Sequence, residues 1–383
     1  MRRGRGRPGW PPIAPARRAR FPREGIFLAS KPLKIVKMLV GDYTYRLHAA
    51  TAWQDGAIFG APGRNCMPCR TLRLILLWLL AGWQFAWADP PPAEAPAASS
   101  DILQQLKSAP SRGLLYEISR DGQTAYLFGT IHVGRPDFFP LDLVVTQALA
   151  QSSELVVELD ATQSDKMQAA VQRHAVLPDS QRLDSLLSPS LRKRLQTQLD
   201  ALGIPRDSLQ AYKPWMASLS LMMGAMQASG FEPAYATDLY LIALAKGLNK
   251  TIDELESIDY QLDLFDSTTR QEQLAFLDET LRMLEQGRLR GDTQALVEAW
   301  LDSDAQALQQ QSLASMHENP RSARWMQQKL FTERNRHMAA SIDRMLAAGR
   351  HPFVAIGALH LTGADGVPAL LAMRGYRIKN LYP

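Results

Sequence analysis

Two histidines, His132 and His360, each stand three positions after a glycine that closes a short apolar run. Thr124-Ala-Tyr-Leu-Phe128 leads into Gly129-Thr-Ile-His132, and Pro352-Phe-Val-Ala-Ile356 leads into Gly357-Ala-Leu-His360. Both runs are rich in β-branched and aromatic residues, the signature of a buried strand. A glycine at the strand end lets the backbone turn or approach another group closely. Open α/β sheets build their sites at such C-terminal strand edges. The same arrangement used twice points to two imidazoles converging on one site; the bland alternative is a pair of unrelated core histidines.

A third element fits between them. In Ser153-Glu-Leu-Val-Val-Glu-Leu-Asp160 the apolar centre, Leu155 to Val157, runs straight into Glu158. An acid at the end of a buried strand is costly unless it is paired, hydrogen-bonded or metal-bound. Two histidines and one carboxylate make a common ligand set for a catalytic divalent ion that keeps a position open for water. In that reading His132 and His360 are neutral imidazole ligands. Glu158 is either a third ligand or the base that activates water. Taken alone, Glu158 is equally a solvated carboxylate at the start of a loop.

Competing chemistries leave no trace. No Gly-x-Ser-x-Gly nucleophile elbow occurs. No His-Glu-x-x-His occurs either, since His317-Glu318 is followed by Asn-Pro, which cannot continue a metal-binding helical turn. His174, His337 and His351 show no ligand spacing.

These segments resemble the TraB/GumN proteins, which are related to the Tiki metalloproteases. The matching pieces are Phe128-Gly-Thr-Ile-His-Val-Gly134 with Asp137-Phe-Phe-Pro-Leu141, Val156-Val-Glu-Leu159, Thr237-Asp-Leu239, Leu255-Glu256 with Gln261, Glu333-Arg-Asn335 with Met338, and Ile356-Gly-Ala-Leu-His360. The likeness covers residues 102–383, and the periplasmic GumN-like branch is the nearest match. It implies a metal-dependent, peptidase-like hydrolase carrying a divalent ion such as Zn, Mn or Co, with an extracytoplasmic peptide or protein as substrate. It also draws attention to Gly129, Gly357, Glu256 and Asn335 as supports, and to Arg334. The Arg334 guanidinium is suited to neutralising a substrate carboxylate or to fixing Glu158 by a bidentate pair. Two non-catalytic alternatives accompany the likeness: a haem- or peptide-binding module, and an accessory protein of polysaccharide export.

Residues 67–88 read as a secretory signal peptide: Arg70 and Arg73, an apolar Leu74–Leu80 core, then Ala86-Trp-Ala88 as the cleavage pattern. That core falls short of the roughly twenty residues a membrane span needs. The protein is accordingly expected to be periplasmic or secreted, with no stable span after cleavage. Upstream, residues 1–66 form a basic, proline-rich extension without period, read as a disordered arm or as residues preceding a true start at Met67.

Residues 1–88 hold 15 of the 43 Lys and Arg but only 3 of the 38 Asp and Glu, leaving 28 basic against 35 acidic residues and a net charge of −7 beyond them. Nothing in that acidic remainder marks a nucleic-acid surface. The only cysteines, Cys66 and Cys69, also precede the cleavage pattern, so thiolate chemistry is excluded from the processed chain. A Pro/Ala-rich linker over residues 89–101 then leads into a domain over 102–383.

The domain reads as α/β, with a central mixed sheet and a long helical middle section packed over the site. Asp121-Gly122 between two strand-like runs predicts a hairpin. Helices are expected over Pro140 to Ala150, over 162–230 with breaks at Pro178, Pro189 and Pro205, and over Tyr235 to Lys246 with Gly247 as the stop. Almost continuous helix follows from Gln261 to Gly349, punctuated near Gly291, Asp302 and Pro320. Short strands are expected from Thr251 and from Tyr376 to Leu381.

Overall fold

The computed structural model describes residues 99–318 and 320–382. The basic extension, the signal-peptide segment and residues 89–98 of the linker lie outside the described residues. Helix α1, Ser99–Ser108, takes in the last residues assigned to the linker.

Six strands form one sheet in the order β4-β3-β5-β2-β1-β6. They are β1 Leu115–Arg120, β2 Gln123–Thr130, β3 Glu154–Val157, β4 Thr251–Glu254, β5 Pro352–Gly357 and β6 Arg377–Asn380. Strands β4, β3, β5 and β2 run parallel, whereas β1 is antiparallel to both β2 and β6. The mixed sheet expected from the sequence is thus present. Asp121 and Gly122 both adopt positive φ, 52° and 79°, which matches the right-handed twist of a two-residue hairpin.

The apolar runs that signalled strands are the centre of the core. Leu127, Phe128, Leu155, Val156, Val157, Phe353, Val354, Ala355 and Ile356 are all fully buried. Strand β5 sits between β3 and β2, with Thr130 facing Gly357 across the β2–β5 ladder. Trp300 locks the end of β2 from one side: its indole donates to the Gly129 carbonyl at 2.8 Å, while its own carbonyl accepts from Gly113 N–H at 2.7 Å.

Helices cover the sheet and form the middle layer. In chain order they are α2 Leu143–Gln151, α3 Ser164–His174, α4 Leu183–Leu186, α5 Pro189–Ala201, α6 Pro214–Ala228, α7 Thr237–Gly247, α8 Ile258–Asp266, α9 Arg270–Glu285, α10 Arg288–Leu301, α11 Ala305–Glu318, α12 Pro320–Trp325, α13 Glu333–Ala347 and α14 Val367–Ala372. A second apolar cluster holds this layer together around Leu195, Leu199, Tyr212, Trp215, Leu221, Leu277 and Leu281. The Met216–Met226 stripe packs as core: Met216 belongs to that cluster, and Met223 and Met226 flank the sheet core.

The expected break at Pro189 is present: Pro189 opens α5 behind the Ser188 cap, where its missing N–H costs nothing. Two other punctuation marks differ from the sequence reading. Gly291 lies inside α10, and the left-handed residue is Gly287 at φ 66°. After α7 the left-handed position falls on Asn249, not on Gly247. Among the described residues, no helix is long and apolar enough to cross a membrane.

Candidate functional site

The parallel ladder between β3 and β4 continues past both strands. Leu255 N–H donates to Val157 O at 2.9 Å, and Glu256 N–H donates to Glu158 O at 3.1 Å. This places two buried carboxylates side by side, an arrangement that needs a cation between them. Arg334, on the first turn of α13, supplies it. Its guanidinium bonds both Glu256 oxygens, with contacts of 3.0, 3.1 and 2.7 Å, and also bonds Glu158 Oε1. Gln261 on α8 completes the bracket, donating at 2.9 Å to Glu158 and at 3.0 Å to Glu256.

Glu158 is therefore held on several sides. Its Oε2 accepts from Gly357 N–H at 3.0 Å. Burial alone would push its pKa up, but the Arg334 and His132 charges and the Gly357 N–H together hold it far below the usual carboxylate range. It is ionised throughout the physiological range.

The two imidazoles arrive from neighbouring strands. His360 lies just beyond β5 and is buried, with Nδ1 2.5 Å from Asn335 Oδ1. The Asn335 amide nitrogen donates to Asp365 O at 2.8 Å. That bond turns the amide oxygen towards the ring, so Nδ1 carries the proton and Nε2 is left with a free lone pair. Nε2 lies 3.9 Å from Glu158 Oε2. Burial pushes the His360 pKa down to about 4, so the ring is neutral at neutral pH. Phe331 flanks it, with ring centroids 5.5 Å apart.

His132 follows β2 and is placed by the start of α7. Ile131 N–H donates to Thr237 Oγ1 at 2.8 Å, and Thr237 N–H donates back to Ile131 O at 3.0 Å. The next residue, Asp238, then meets His132 Nδ1 at 2.9 Å. The Asp238 charge raises the His132 pKa to about 9, although the side chain is 63% exposed and water screens part of that pull.

Gly357 marks where the three groups meet. A Cβ built there would lie 3.5 Å from Glu158 Oε2, 3.5 Å from His360 Cδ2 and 3.6 Å from His132 Nε2. The convergence of His132, His360 and Glu158 expected from the sequence is thus the arrangement found. Gly129 acts differently: a Cβ there would press on the Ala358 backbone at 3.0 Å, so this glycine lets β2 approach the turn after β5. Glu256 and Asn335 both take part, the first through Arg334 and the second through His360. Two other histidines stand apart: His174 bonds Asp259, and His351 bonds the Thr124 carbonyl.

Asp238 and Gln261 are the residues that sequence reasoning left without a role. Each lies on the first turn of a helix that docks against a strand end, so only the fold reveals the partner. The signal available was the family resemblance of Thr237-Asp-Leu239 and of Leu255-Glu256 with Gln261.

In donor type, the site suits a divalent ion. Two Nε2 edges face one space, each Nδ1 is tied to an oxygen acceptor, and Glu158 Oε2 retains acceptor capacity beyond its bond to Gly357; this oxygen-anchored pattern is typical of metal-binding imidazoles. In spacing it is wider: among the described residues, no group of three or more His, Cys, Asp or Glu side chains is gathered closely enough to hold an ion.

Comparison with known proteins adds a lineage. Residues 114–380 match the model of the TraB/PrgY/gumN family. Two relatives, each described as "Uncharacterized protein YbaP", come from Shigella flexneri and Escherichia coli (strain K12). Each is 28% identical over 293 residues, covering 71% of this chain and 99% of the relative. No solved structure matches.

Proposed function

Because the chain belongs to the TraB/PrgY/gumN family, we propose that its site is that of an exported divalent-metal hydrolase acting on a peptide or amide bond. Within the family we align it with the GumN-like branch, and we take the Tiki metalloproteases as the chemical analogue. One observation carries this reading. Two imidazoles from adjacent strands turn towards the same side-chain-free glycine, with their far nitrogens fixed by Asp238 and Asn335.

His132 and His360 would hold the ion through Nε2, with Glu158 Oε2 as the third donor. What a divalent ion supplies at such a site is a Lewis acid and a water acidified towards neutrality. Asp238 and Asn335 orient the rings and raise their donor strength. Arg334 keeps Glu158 ionised and aimed. A carboxylate with so depressed a pKa is a weak proton acceptor, which favours Glu158 as ligand over Glu158 as base. The choice of an extracytoplasmic substrate rests on the signal-peptide pattern at 67–88.

The decisive experiment loads the purified protein with Zn, Mn or Co, measures the bound ion, and follows cleavage of a mixed peptide library by mass spectrometry. His132→Ala and His360→Ala should lose bound ion and cleavage together while keeping the wild-type circular dichroism spectrum. A wild type that takes up haem tightly and no divalent ion would instead establish the ligand-binding reading.

A further inference from the structure

A second feature lies in the helical layer and is not used by the chemistry above. A cavity of about 300 Å³ opens between α6, α8, α9 and α12. Four aromatic side chains wall it: Trp215, Phe265, Phe276 and Trp325. Phe265 is at their centre, stacked on Trp215 at 5.4 Å, edge-on to Trp325 at 5.2 Å and tilted to Phe276 at 6.3 Å. Trp215 is 1% exposed, and its indole N–H has no hydrogen-bond partner among the described residues.

Two elements tie this cavity to the site. On α8, Gln261 bonds Glu158 and Glu256, and Phe265 sits four residues later on the same face. One helical turn, about 5.4 Å of rise, therefore separates a residue of the site from a wall of the cavity. The second link is the π-helical segment Met326–Thr332 between α12 and α13. Trp325 precedes it on the cavity side, Phe331 within it packs on His360, and Arg334 just after it bonds Glu158. π-turns of this kind recur at functional sites.

The size selects the occupant. Whole small-molecule ligands fill pockets of about 300–1,000 Å³, so this cavity is at the bottom of that range. It has room for one large side chain. We propose that the cavity is a specificity pocket of the hydrolase, accepting a single aromatic or large apolar side chain of the peptide or amide substrate, with α8 and the π-helical segment joining it to the site. This rests on the hydrolase reading for its purpose, but pocket occupancy can be measured without turnover.

The test uses two probes, N-acetyl-L-phenylalaninamide and N-acetylglycinamide, titrated against the whole chain and followed by saturation-transfer NMR. The phenylalanine probe should bind saturably and the glycine probe should not. Ala275→Phe places a ring inside the cavity and should weaken phenylalanine-probe binding at least fivefold. Trp325→Ala removes a wall and should do the same; it decides the matter if Ala275→Phe fails to fold. In His132→Ala the probe should still bind although cleavage is lost. Equal binding of both probes, or undiminished binding in the folded variants, overturns the pocket. Selective binding that follows this pattern, in a protein that cleaves no peptide with any divalent ion, would retain the pocket and refute the hydrolase.

Discussion

His360 Nδ1 and Asn335 Oδ1 lie 2.5 Å apart, and the far end of the same amide is fixed by its bond to Asp365 O. Asn335 therefore sets the tautomer of His360 from a position 25 residues earlier in the chain. Replacing it with leucine keeps the bulk and loses the acceptor. Asn335→Leu should lower divalent-ion affinity by roughly 10–100-fold, measured by competition with a chromogenic chelator, and should cost about 1–3 kcal/mol of stability because His360 Nδ1–H and Asp365 O lose a buried partner.

Arg334 is 8% exposed and neutralises two buried carboxylates at once. Removing one partner of a buried ion cluster strands the others. Arg334→Met should cost about 3–5 kcal/mol of stability in urea denaturation. The double change Arg334→Met with Glu256→Gln should recover part of that loss, because one fewer uncompensated charge remains.

Gly357→Ala separates site from fold. The glycine has φ −49° and ψ 133°, on the side of the map open to any residue, and the added Cβ would make only ordinary contacts of 3.5–3.6 Å. Stability should stay within about 1 kcal/mol of wild type. The methyl would, however, occupy the space that both imidazoles and Glu158 face. Ion binding and cleavage should fall together, read by metal analysis and by the peptide-library assay.

The two histidines should respond to pH in opposite ways. His360, pushed down to about 4 by burial, contributes stability that is complete above the ordinary histidine pKa of about 6.5 and drains away as pH falls towards 4. His132, raised to about 9 chiefly by Asp238, contributes stability that is present below about 6.5 and lost as pH rises through 9. At pH 7 an incoming ion should thus displace a proton from His132 and none from His360. Calorimetry in buffers of different ionisation enthalpy should count about one proton released per ion, and affinity should climb with pH until about 9.

The strand ends were legible because burial and position are both written locally. An apolar run that stops at a glycine, with a polar residue just beyond, announces itself in a dozen residues. The placing of His132, Glu158 and His360 just beyond buried strands is read in this way, and so is the mixed α/β architecture. The partners of those residues were not legible in the same sense. Asp238 reaches His132 only because Thr237 exchanges hydrogen bonds with Ile131, a contact across 106 positions. Gln261 reaches Glu158 across 103 positions. The helical middle hid its details for another reason. Its helices obey packing between apolar faces, so Gly291 is carried inside α10 by its neighbours despite its own weak helical preference. Neither the π-helical segment nor the aromatic cavity leaves a periodic trace.

Strand β5 enters the sheet at its centre, between β3 and β2, although it comes near the C-terminal end of the chain. This dictates an order of assembly. Until residues 352–357 arrive, the strands that carry His132 and Glu158 have no shared ladder, and Glu158 lacks both the Gly357 N–H and the His360 ring. A growing chain folds from its N-terminal side as it is made, so the helical layer can form while the three side chains are still apart. Strand β5 acts as a keystone: it joins β3 to β2 and brings His132, Glu158 and His360 together in the same event. A nascent or truncated chain that stops short of it therefore lacks the assembled site, with Glu158 missing two of its neighbours.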